Sequence, residues 1–308
     1  MKKVILVDGN NLLFRSFYAT SYSGNIMRNG KGFPTNALYG FINMMNKIIK
    51  EESPSYILVA FDKGKTFRHD KYDDYKAGRQ AMPEELKLQF PKAKEVLDTM
   101  GIKHFEIDNY EADDIIGTLA KIVDEEDQFI ATIVSSDKDL LQLISNDIDI
   151  KLLKQKDYIR YNEETFFEAY GIEPIHIIDL KSLMGDASDN IPGVKGIGEK
   201  TALKLLQEYK TLDGIYENIE EIKGKLKEKL ETDKENAYMS YDLATIKRDV
   251  PMDICIDDLK YKEVDHEKLN ALYEELEFYS FIKKEQVKTE EKIEYKIIQN
   301  IEDIKIEE

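Results

Sequence analysis

The chain has 308 residues, 42% hydrophobic and 34% charged, which is enough for one large or two small globular domains. A net charge of −17, taken alone, argues against a nucleic-acid partner, and the single cysteine, Cys255, excludes an intrachain disulfide and fits a reduced, cytoplasmic setting. The first apolar run is too short for a signal peptide, and no stretch approaches a membrane span.

The apolar run 3–7 reads as a buried strand ending at Asp8. After residues 11–18 and a Gly-containing loop at 24–34, a helix is expected over 35–50. Leu38, Phe41, Ile42, Met45, Ile48 and Ile49 recur there at helical spacing, and Ser53-Pro54 ends it. A second strand, 56–61, runs into Asp62. The segment 63–79 then interleaves Lys63, Lys65, Arg68, Lys71, Lys76 and Arg79 with Tyr72 and Tyr75. A helix over 83–100 has Pro83 near its start and Gly101 just past its end. A strand at 103–107, an amphipathic helix at 111–123 and a strand at 129–134 follow. This alternation predicts a three-layer α/β core with a parallel sheet over about 1–165. Short helices predominate over 166–287, and the charge-rich remainder, 288–308, looks like the beginning of a further domain.

Nine carboxylates fall in five clusters: Asp8; Asp62; Glu111, Asp113 and Asp114; Asp137 and Asp139; Asp186 and Asp189. Singly, each reads as well as a cap or loop residue. Jointly, three strand ends and one helix start would bring acids to one edge of one sheet, where open α/β sheets bind ligands. Such a cluster is self-repelling and makes sense with hard divalent cations, which take oxygen ligands and retain several waters. The four histidines are scattered, so zinc is not indicated. Two sites paired in this way can hydrolyse a phosphodiester.

The basic and aromatic residues at 63–79 can be a solvated loop, or a grip in which Lys and Arg hold phosphate while Tyr72 and Tyr75 stack on bases. The stretch Gly193-Val194-Lys195-Gly196-Ile197-Gly198, followed by Lys200, reads as a Gly-rich hairpin between helices, with backbone close to phosphate.

At these residues the chain resembles the 5′ nuclease family, which includes the N-terminal 5′→3′ exonuclease domain of bacterial DNA polymerase I and, more distantly, the flap endonucleases. Val7-Asp8-Gly9-Asn10, Ala60-Phe61-Asp62, Tyr75-Lys76-Ala77-Gly78-Arg79, Glu111-Ala112-Asp113-Asp114, Ser136-Asp137-Lys138-Asp139 and the stretch from Gly185 to Gly193 carry the resemblance, over about residues 1–285. It implies a PIN-like or resolvase-like core with a clamp near 63–90 and a helix–three-turn–helix (helix-hairpin-helix) that grips duplex. It implies two Mg²⁺ or Mn²⁺ ions, held by the nine acids, and often K⁺ at the hairpin. Asp8, Asp62, Lys76, Arg79, Asp113 and Asp114 are the expected catalytic group, and Arg68, Tyr75, Lys76, Arg79, Lys200 and the six hairpin residues the expected DNA contacts. The implied partner is nicked, 5′-flapped or forked DNA, or an RNA–DNA primer junction. Two rivals stand beside this reading. A haloacid-dehalogenase-type phosphatase needs a second Asp where this chain has Asn10, and a non-catalytic DNA-structure binder leaves the acids unexplained.

Overall fold

The computed structural model describes residues 1–21, 26–155 and 157–282. One six-stranded sheet lies at its centre, in the order β3-β2-β1-β4-β5-β6. The strands are β1 (Lys2–Asp8), β2 (Tyr56–Ala60), β3 (Lys103–Phe105), β4 (Phe129–Ser135), β5 (Ile148–Leu153) and β6 (Tyr158–Tyr161). The first five are mutually parallel, and β6 closes one edge antiparallel to β5. The strand order reverses direction between β1 and β4, so the sheet has its switch point there. The loops leaving these two strands therefore diverge and open a crevice at their carboxyl ends.

Successive side chains of a strand face opposite sides. Ile5 and Val7 of β1 pack on the side of the Gly9–Thr20, Asn36–Glu52 and Gln89–Thr99 helices, among Leu13, Phe41 and Val96. Val4 and Leu6 pack on the other, against Ile115, Ile116 and Leu119 of the Ala112–Glu125 helix. That second core continues without a break into the helical part of the chain, through Leu183, Val194, Leu205 and Ile215.

Two strands depart from the sequence reading. Neither β5 nor β6 was expected, because a lysine interrupts the apolar run of β5. Lys151 is nonetheless 2% exposed, its ammonium 2.5 Å from Glu51 and 2.8 Å from Glu52. Burial pushes the Glu52 carboxyl up, but Lys151, Lys3 and Arg160 outweigh it and hold the group at about 2. The helix expected over 83–100 forms as two pieces, Glu84–Lys87 and Gln89–Thr99. The His266–Glu275 helix, at the end of the stretch assigned to the helical unit, packs back on the first core through Leu269, Leu272 and Tyr273. The expected further domain at 288–308 lies outside the described residues. Among them, no helix is long and apolar enough to cross a membrane.

Candidate active site

The parallel register brings the strand ends level. Val7 lies opposite Val59 on one side and Val134 on the other. Asp8, Asp62 and Asp137 follow directly and line one cleft with Glu111, Asp113, Lys76 and Arg79. Asp8 caps the Gly9–Thr20 helix, accepting from Asn11 N at 2.9 Å and from Ser135 Oγ at 3.0 Å. Asp62 accepts from Ala112 N at 2.8 Å, which fixes the start of the Ala112–Glu125 helix beside β2. Its other oxygen accepts from the Asn10 amide at 3.0 Å. Asn10, which counted against a phosphatase, is therefore a brace for Asp62. Asp137 accepts from Asp139 N at 2.9 Å, which holds the turn after β4.

The cations divide these acids into groups. Among the described residues no Lys or Arg pairs with Asp8, Asp62, Asp113 or Asp137. Lys76 Nζ lies 2.6 Å from Glu111, and Arg79 pairs with Asp189. Lys181 pairs with Asp139 at 2.6 Å and with Asp186. The unpaired set is electrostatically strained. Burial, then Asp62, pushes the Asp8 carboxyl up to about 7, and burial followed by Asp137 and Asp8 lifts Asp113 well above the usual carboxylate range. Burial, then Asp137, raises Asp139 to about 7 despite Lys181. Asp186 goes the other way, because Lys181 and Ser188 outweigh its burial.

Among the described residues no three acidic, histidine or cysteine side chains already converge as a closed metal cage. The donor set still fits hard divalent cations. It is all oxygen, it is buried or half-buried, and a divalent ion would offset the repulsion among its unpaired carboxylates.

A model described as "5′-3′ exonuclease, N-terminal resolvase-like domain" matches residues 3–171, and one described as "5′-3′ exonuclease, C-terminal SAM fold" matches residues 172–267. The chain belongs to the 5′-3′ exonuclease family. DNA polymerase I of Geobacillus stearothermophilus is 49% identical over 94% of the chain and 33% of its own length. DNA polymerase I of Bacillus subtilis is 44% identical over 99% and 34%. The chain thus spans about a third of the length of the curated relatives it matches. Among solved structures, bacteriophage T5 5′-exonuclease with divalent zinc bound aligns with a TM-score of 0.60 at 25% identity, covering 79% of this chain and 89% of that one. A T5 flap endonuclease in a pseudo-enzyme–product complex with DNA and metal ions shares the fold, with a TM-score of 0.65 at 22% identity over 90% and 98% of the two chains.

Three residues near the cleft take other roles than those expected. Asp114 points away from the cleft and is fully buried. Its oxygens accept from Arg68 at 2.7 and 2.8 Å, from Glu111 N and from Lys247 N, so none is left for a metal. Arg68, expected on DNA, is 2% exposed and also donates to the carbonyls of Leu243 and Thr245. Tyr75, expected to stack on bases, is 4% exposed, and its hydroxyl lies 3.2 Å from both Glu111 and Asp189. A buried ring cannot meet a base. Lys76 and Arg79 do reach the cleft, Lys76 from a left-handed backbone (φ +58°) whose N–H donates to Asp189 O.

The hairpin forms between the Ile177–Met184 and Glu199–Tyr209 helices. Gly193 and Gly196 take positive φ there, and Lys195 and Lys200 are exposed, whereas Val194 and Ile197 are buried core rather than contact surface. Residues missed in the sequence are Asn10 and Asn11, which brace Asp62 and Ser136, and Lys181. Asn10 and Asn11 follow Asp8 directly and were legible as polar residues at a strand end. Lys181 carried no such signal.

Proposed function

We propose that this chain is a structure-selective 5′→3′ nuclease that hydrolyses phosphodiesters near the 5′ end of nicked, flapped or forked DNA and of RNA-primed junctions, using two Mg²⁺ or Mn²⁺ ions. The observation that carries this reading is the cleft at the sheet's switch point, where Asp8, Asp62, Asp113 and Asp137 gather with no Lys or Arg paired to them among the described residues, while the hairpin loop carries Asp186 and Asp189. Asp8, Asp113 and Asp137 would hold the first ion. Asp139 and Asp186 would hold the second, with Asp62, Glu111 and Asp189 acting through water. Bound ions supply Lewis acidity toward the phosphoryl oxygens and lower the pKa of water. Lys76 and Arg79 would place positive charge on the scissile phosphate as negative charge develops there. The backbone at Gly196 and Gly198, with Lys195 and Lys200, would hold a duplex phosphate at the start of the Glu199–Tyr209 helix. A K⁺ ion at the hairpin would have to share the Gly196 carbonyl with the Lys229 ammonium, 2.8 Å away. The same reading takes the protein as a monomer associated with the nucleoid, part of a longer polymerase chain and serving primer removal and nick repair.

Flap duplexes labelled at either the 5′ or the 3′ end, incubated with Mg²⁺ or with EDTA, test this directly. Metal-dependent release from the 5′ side alone is expected, with 5′-phosphate and 3′-hydroxyl products. Release from the 3′ side, or cleavage in EDTA, would overturn it.

A further inference from the structure

Lys181 lies on the Ile177–Met184 helix, one turn before the hairpin. Its backbone carbonyl accepts the Gly185 N–H at 2.8 Å, where the chain leaves the helix. Its side chain, 13% exposed, reaches back toward the sheet and places one ammonium between two carboxylates from different parts of the fold. Asp139 comes from the turn after β4, and Asp186 from the hairpin loop. Asp8, Asp113 and Asp137, which line the cleft beside this group, have no Lys or Arg paired to them among the described residues. One half of the acidic site is thus open to an incoming cation, and the other half already holds one that belongs to the protein.

We infer that the Lys181 ammonium is a built-in competitor for the second divalent ion: it holds Asp139 and Asp186 in the metal-free protein and must leave them before an ion can bind there. This rests on the two-ion reading above. A divalent ion held by both of these carboxylates would lie within a few ångströms of the ammonium, which repels it and competes with it for the oxygens that the lysine contacts. The first ion meets no such competitor. The two ions should therefore bind with unequal affinity, and the inequality should come from one side chain.

The test is calorimetric titration of the metal-free full chain with MnCl₂, without DNA, for the native protein, Lys181→Met and Lys181→Gln. The native protein should bind one ion tightly and a second more weakly. Both variants should bind the second ion at least about tenfold more tightly, with a much smaller change at the first. Native protein also reports directly through mass spectrometry of amine acetylation: Lys181 should label slowly in EDTA and faster in saturating Mn²⁺, even if a variant fails to fold. An unchanged second constant in folded variants, or labelling of Lys181 indifferent to Mn²⁺, would overturn the inference while leaving the two-ion reading intact. Absence of any Mn²⁺ binding by the native protein would instead overturn the two-ion reading itself, and the inference with it.

Discussion

Asp113 and Asp114 are neighbours in sequence and opposites in role. A helix turns about 100° per residue, so adjacent side chains point to different surroundings. Asp113 faces the cleft among other acids, while Asp114 faces the interior and meets Arg68. Burial and its acidic neighbours disfavour the charged form of Asp113, and an amide at that position removes this cost. Asp113→Asn should therefore raise the melting temperature in EDTA while cleavage of flap DNA drops to background and binding of the flap persists. A variant that keeps its activity, or that melts below the native protein, contradicts this assignment. Arg68 is the converse case. Arg68→Met leaves Asp114 as an uncompensated buried charge, and a loss of about 3–5 kcal/mol in urea unfolding is expected. Arg68→Lys should recover little of it, since an ammonium cannot reproduce the paired bonds to both Asp114 oxygens. A loss below about 1 kcal/mol for Arg68→Met would mean that the pair is not structural.

Among the elements, the hairpin depends on one close backbone approach and one buried hydrogen bond. A Cβ added at Gly193 would lie 2.2 Å from Gly185 N, and the residue has φ +61°. Its N–H donates to the buried Ser240 Oγ at 2.9 Å, on the Lys234–Ala244 helix. Ser240→Ala should cost about 1–3 kcal/mol of stability by orphaning that donor. It should also weaken binding to forked duplex, measured by fluorescence anisotropy in EDTA; unchanged affinity would show that the hairpin does not depend on this bond. The same helix ends at the carbonyls held by Arg68, and Tyr75 packs with Ile191 and Leu243. The 67–79 segment is thereby seated on the helical unit that carries the hairpin. The ties to Ser240, Leu243, Thr245 and Ile191 were not visible in the pattern of residues, because each joins positions more than 40 apart. β5 was missed for a related reason: Lys151 breaks the apolar run, and only Glu51 and Glu52 on a distant helix make its burial tolerable.

Across the whole molecule, the acidic cleft governs how stability varies with pH. Asp8 and Asp139 are raised from 3.8 to about 7, and Asp113 is raised well above the usual carboxylate range. The folded metal-free protein therefore keeps protons that the unfolded chain releases near pH 4. Stability in EDTA should fall as pH rises from about 4 to about 7, because the native state binds more protons across that window. Thermal melts at about pH 5 and about 7.5 check this, and saturating Mg²⁺ should restore most of the loss at the higher value. A flat or rising profile in EDTA would contradict it. The net charge of −17 belongs to the same account, since part of it sits in the cleft as charge awaiting cations. From sequence alone came the first four strands in the chain, the helices between them, the acids at the ends of three of those strands and the Gly-rich hairpin. All of these are written in local periodicity and in residue type, which depend on neighbours a few positions away. Only the tertiary structure decided which acids remain unpaired and which are already neutralised by Lys76, Arg79, Lys181 or Arg68. Ion pairing depends on distance in space, and the partners lie up to 110 residues apart in the chain.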